Sequence, residues 1–249
     1  MKAALLLLML AIPHTAPAIE SPRVPVVVEL FTSEGCSSCP PADTFLRQLD
    51  KTQPVPGAEV IILSQHVDYW NHLGWTDPYS SKDFTKRQEA YATVMHTDGP
   101  YTPQMIVDGC TEFNGTDVRK AREAIAQAAA TPKATVTITP APTPEGERLQ
   151  IHVDGADFAK VAGKADVMLA ITENALSNSV TKGENAGHNL SHNGVVRRLT
   201  QIGTATKAGF TAEQVVVFDK AWKRENLRAV VFLQDRNSRR VFGAAEVGL

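Results

Sequence analysis

Pro25-Val26-Val27-Val28-Glu29-Leu30-Phe31-Thr32-Ser33-Glu34-Gly35-Cys36-Ser37-Ser38-Cys39-Pro40-Pro41-Ala42-Asp43 decides how this chain is read. A β-branched apolar run ends in a short polar loop, and two cysteines stand where that loop gives way to a new element. Cysteines two residues apart close a small disulfide or share a proton, so that one becomes a reactive thiolate. Far downstream, Thr102-Pro103 opens a second apolar strand. An X-Pro bond before a strand is a place where the cis form is expected, since it costs only ~0.5–1 kcal/mol. Together the two features indicate a redox site rather than a stapled loop.

Upstream, Lys2 precedes an apolar run over residues 3–12, followed by Pro13 and then Ala16-Pro17-Ala18. A positive end, a short hydrophobic stretch and small residues before a cut predict a signal peptide over residues 1–18, cleaved before Ile19. A membrane anchor needs ~20 apolar residues, about twice what is present. The mature chain is therefore expected to be exported, periplasmic or secreted, with no membrane span. Losing the leader removes one of 25 basic residues and none of the 27 acidic ones, moving the net charge from −2 to −3. Nucleic acid and anionic membrane surfaces are thereby disfavoured as partners. Three cysteines are too few for a disulfide scaffold. Cys110 is left over, and its expected place is a buried spare thiol.

Working outward from the cysteines, strands and helices alternate. Strand patterns cover 25–30, 60–63, 105–107 and 111–113, with Asp108-Gly109 as a hairpin turn. Helical spacing covers 42–49, 84–95 and 118–130, the last begun by Asp117. Pro40 and Pro41 place the start of the first helix near Pro40. After residue 132 the pattern turns to alternation: strands are expected at 136–138, 149–153, 167–171, 215–218, 229–233 and 241–245. The fold class is thus an α/β domain over 24–131, with the strand–helix–strand–helix–strand–strand–helix order of a minimal thioredoxin core, followed by an all-β, sandwich-like domain over 134–249.

The stretch 29–43, then His66-Val67-Asp68-Tyr69-Trp70, Tyr101-Thr102-Pro103-Gln104 and Gly183-Glu184-Asn185, resembles a bacterial secreted, thioredoxin-like family catalogued as a domain of unknown function. The resemblance covers nearly the whole mature chain. It implies the fold and a redox site at the cysteines, and brings no settled substrate. It also implies that Pro103 packs beside the cysteines, with a cis bond presenting the backbone of Thr102 to a substrate chain. In thioredoxins a buried acid on this strand relays the proton of the resolving cysteine; Glu29 resembles it with one extra residue intervening. A raised pKa would suit Glu29 to that role, and an acid facing water at the strand end is the alternative.

The residues then suggest roles. A helix N-terminus favours an anion, so Cys36 is expected to attack as thiolate and Cys39 to resolve the mixed disulfide. The catalytic set is Cys36, Cys39, Pro103 and Glu29. Trp70 and His66 are candidates for substrate contact, because the loop after a second parallel strand lies at the same sheet edge as the cysteines, and Thr102 joins them through the backbone that the resemblance has Pro103 present. No external cofactor and no metal are expected. The partners are protein thiols or disulfides, with a redox partner in the periplasm. His66 and His72 beside two thiols leave open a copper-binding metallochaperone, although the spacing matches no zinc pattern. A partner-binding protein with a structural disulfide is the third reading. His188 and His192 lack the glutamate of a zinc-protease helix. The polar loop that holds them is expected to pack across the domain interface near the cysteines.

Overall fold

The computed structural model describes residues 22–144 and 146–249; the expected leader, 1–18, lies outside them. The architecture is mixed α/β: one large mixed sheet, few helices and further antiparallel sheets. The first half contributes β1 (Val24–Thr32), α1 (Pro40–Thr52), β2 (Ala58–His66), α2 (Lys82–Met95), β3 (Gln104–Val107), β4 (Thr111–Asn114) and α3 (Val118–Ala129). The second half contributes β5 (Val136–Thr143), β6 (Gly146–Val153), α4 (Gly155–Val161), β7 (Lys164–Glu173), β8 (Leu176–Ser179), β9 (Asn189–His192), β10 (Val195–Thr206), β11 (Phe210–Val217), β12 (Leu227–Gln234) and β13 (Val241–Gly248). Asp117 caps α3 by accepting from Lys120 N at 2.9 Å, and Ser81 caps α2 through Asp83 N. Among the described residues, no helix is long and apolar enough to cross a membrane.

Eight strands form one sheet in the order β13-β12-β7-β10-β2-β1-β3-β4. β1 and β2 run parallel over their full length, and β3 and β4 continue the sheet antiparallel. The change of pattern near residue 132 therefore does not interrupt the sheet. β10 joins β2 in parallel at Val195↔Ser64, with Ser64 N donating to Gly194 O at 2.7 Å. The sheet also curls: Val241 N, at the start of β13, reaches Asp108 O beyond β3 at 2.8 Å. Gly109 makes this approach possible, since a Cβ there would fall 1.9 Å from Arg239 O. The buried ion pair of Lys133 and Asp108 closes the same corner.

Alternation along β1 and β2 divides the core into two faces. Val26, Val28, Leu30, Val60 and Ile62 meet α1 and α3. Val27, Ile61 and Leu63 meet Phe84 of α2 and, from the second half, Ala170, Val196, Val230 and Phe232. A separate three-stranded sheet, β11-β6-β5, lays Leu149, Ile151 and Val153 on Val167, Ile171 and Val231 of the large sheet.

Candidate functional site

β1 delivers the chain to the sheet's edge, and the loop after it folds back as a turn, with Cys36 N donating to Ser33 O and Cys39 N to Cys36 O, both 3.2 Å. Cys36 and Cys39 form a disulfide with Cα atoms 5.4 Å apart. α1 starts at Pro40, as the paired prolines suggest. Cys39 is its N-cap residue, and its carbonyl accepts from Ala42 and Asp43. Prolines in the first turn lose nothing, because those amides have no intrahelical partner. The local pre-proline preference does yield, however: Cys39 is helical, at φ −80° and ψ −37°.

Beside the disulfide, Ser38 Oγ lies 3.3 Å from Cys36 Sγ and donates to Thr102 O at 3.5 Å. Trp70 Nε1 donates to Thr102 Oγ1 at 2.8 Å, and the Thr102–Pro103 bond is cis. Trp70 and Thr102 thus stand together at the rim, both half-buried.

The second half of the chain closes the other side. The β8–β9 hairpin carries residues 183–188 to the cysteines, where Asn185 Nδ2 uses both its protons, on Glu34 O at 2.8 Å and Cys36 O at 2.9 Å. Ser37 N donates to Glu184 Oε2 at 3.0 Å. Hydrogen bonding by the Ser37 side chain, and then by its amide, holds the exposed Glu184 carboxyl below its ordinary pKa. With this loop in place, Cys36 and Cys39 are both 0 % exposed.

Under the disulfide turn lies a buried polar cluster. Glu34 Oε1 takes Asn178 Nδ2 at 2.8 Å and lies 3.1 Å from His192 Nε2, while Oε2 takes Trp75 Nε1 at 2.9 Å. Asp77 Oδ2 accepts from Glu34 N at 2.8 Å and pairs with His66 Nδ1 at 2.7 Å. The rings of His66 and His192 meet edge-on at 4.7 Å. Asp43, on the first turn of α1, accepts from Thr32 Oγ1 at 3.2 Å and lies 4.0 Å from His192 Nδ1. Burial raises the Asp43 pKa, with His192 and His66 working against the rise. Burial opposes the charged forms of His66 and Asp77 as well. Their mutual attraction wins, raising the histidine and lowering the aspartate.

Three expectations need correction. Glu29 is neither a raised-pKa base nor an acid facing water. It is buried and bridged by Arg87 at 2.7 and 3.0 Å, by Gln65 at 2.5 Å and by the Tyr91 hydroxyl. Burial works to raise its pKa, but the Arg87 charge and these hydrogen bonds leave it lowered. The cause is strand parity: one extra residue before Cys36 turns the side chain to the α2 face, away from α1. His66, expected at a substrate groove, is wholly buried and held by Asp77. Cys110 is exposed, at the hairpin turn. His72 is bonded instead within its own loop, with Nδ1 2.6 Å from Tyr69 O. Among the described residues, no group of three or more His, Cys, Asp or Glu is arranged to hold a metal ion.

The polar loop expected near the cysteines does reach them, through Glu184 and Asn185, whereas sequence reasoning gave no role to Glu34, Asp43, Asp77, Asn178 or His192. The fold and site define a mixed α/β protein whose helix-opening Cys-X-X-Cys disulfide is enclosed by a loop from the distant half of the chain. The chain belongs to the family described as protein of unknown function (DUF1223), matched over residues 27–234. It is similar to a crystal structure of an Agrobacterium tumefaciens protein, at 30 % identity and a TM-score of 0.70, covering 90 % of this chain and 94 % of that one. HBP35 of Porphyromonas gingivalis matches at a TM-score of 0.65 and 16 % identity, covering 92 % and 76 % of the two chains, a likeness of fold alone. No curated protein matches.

Proposed function

We propose that this chain is an exported, thioredoxin-like thiol-disulfide oxidoreductase that exchanges with protein thiols or disulfides through Cys36 and Cys39. The observation that carries the reading is a disulfide between cysteines two residues apart, immediately before α1 and beside the backbone of Thr102. In the reducing direction, the Cys36 thiolate attacks a partner disulfide, forming a mixed disulfide and releasing one partner thiolate, which takes up a proton. Cys39 loses its proton and displaces the second partner sulfur. The partner gains two electrons and two protons, and Cys36–Cys39 closes. Asp43 is the buried acid suited to hold the Cys39 proton, because it shares the first turn of α1 and burial raises its pKa. Glu29, tied to Arg87, is not.

A structural disulfide is the second reading, favoured by the complete burial of both cysteines and by the Asn185 clasp. The reduction potential separates the two. Equilibration in glutathione buffers is expected to give a value within ~−120 to −270 mV, the span of exchange catalysts. A value well below ~−300 mV would make the bond structural and end the catalytic reading.

A further inference from the structure

A cavity of about 650 Å³ opens between the start of α2 and strands β7 and β10. It lies on the α2 face of the sheet, and its reading is independent of the chemistry proposed for the cysteines. Its walls carry five cations and a single carboxylate, in a chain whose overall charge is −2. Most of that charge is matched. Arg87 is held by Glu29, Lys86 lies 3.4 Å from Asp83, and Arg197 lies 3.6 Å from Glu173. Arg198 and Arg239 are the surplus. Arg198 is exposed and reaches Val217 O at 3.4 Å and the face of Trp222 at 5.5 Å. Neither Arg198 nor Arg239 pairs with a carboxylate among the described residues.

The apolar part of the lining includes Phe84, Met168, Leu199 and the Trp222 ring, and Tyr79, Ser80 and Ser81 add uncharged polar groups. A volume of ~300–1,000 Å³ is that of a small-molecule site. Guanidinium groups without acids recognise carboxylates and sulfonates through paired N–H donors. We propose that this cleft binds a small organic anion whose acidic groups meet Arg198 and Arg239 and whose apolar ring lies against Trp222.

Naphthalene-2,6-dicarboxylate is the probe, titrated calorimetrically into the full chain at low ionic strength, with naphthalene-2,6-dimethanol as its uncharged counterpart. The dicarboxylate is expected to bind with one site per chain and the diol not to bind. Replacing both surplus cations (Arg198→Ala with Arg239→Ala) weakens binding at least about tenfold, ~1.4 kcal/mol. Arg119→Ala, on the exposed side of α3, leaves it unchanged. In the unsubstituted protein the probe shifts the indole N–H resonance of Trp222, assigned by its loss in Trp222→Phe. Absence of binding, binding that survives loss of both arginines, or shifts confined to Trp70 and Trp75 would overturn the proposal.

Discussion

Glu184 places a carboxylate on the amide that follows Cys36. A nearby negative charge opposes formation of a thiolate, and it also occupies a backbone N–H that could otherwise stabilise one. Glu184→Gln is therefore expected to lower the pH midpoint at which reduced Cys36 is alkylated by iodoacetamide. An unchanged or raised midpoint would show that the carboxylate does not act on the sulfur. The cysteines themselves were legible in the sequence because chemistry restricts which residues stand two apart before a helix. Their surroundings were not. Glu34, Asp77 and His192 come from three distant segments, and single polar residues carry no periodicity that announces burial. For Glu29 the sequence left burial and exposure both open and offered the resolving cysteine rather than Arg87 as its partner, since a sequence does not print which face of a strand faces which helix.

Among elements, α2 is tied to the sheet through Arg87, which bridges Glu29 on β1, Tyr91 on its own helix and Gln234 on β12. Both charges are buried, so removing one partner leaves the other without compensation. Arg87→Met is expected to cost ~3–5 kcal/mol in urea unfolding, and adding Glu29→Gln to recover part of that loss. The lowered pKa of Glu29 means its contribution is present above its ordinary value of 4.5 and lost as pH falls through the folded value. The stability gap between wild type and Arg87→Met should therefore narrow on acidification; a constant gap would place the effect in packing alone. Most strands were legible from alternation, and the longest, β10, was not. Its strongly apolar residues, Val195, Val196, Leu199 and Ile202, do not alternate, and Arg198, Thr200 and Gln201 are exposed. Such a strand is stabilised by its neighbours β7 and β2 rather than by its own composition.

At the scale of the molecule, that strand is what makes two compositional halves one sheet. Val27, Ile61 and Leu63 are covered only by packing that includes Val196, Val230 and Phe232, and the curl of the sheet brings β13 against the β3–β4 turn. The Asn185 loop crosses the same boundary to the cysteines. Neither half can lose its structure without exposing the core of the other, so the full chain is expected to unfold in one transition despite its length. Tryptophans sit on both sides: Trp222→Phe leaves Trp70 and Trp75 to report the first half, and the Trp70→Phe, Trp75→Phe pair leaves Trp222 to report the second. Their urea midpoints should coincide once each is referred to far-ultraviolet ellipticity of the same variant. Gly194 tests the joint itself. It sits at φ +62°, and a Cβ there would lie 2.7 Å from Ile62 Cγ1 and 2.9 Å from Ile62 O, where β10 meets β2. Gly194→Ala should lower both midpoints together. Separation into two transitions, with only the second half weakened, would mean that the halves are independent units that merely touch.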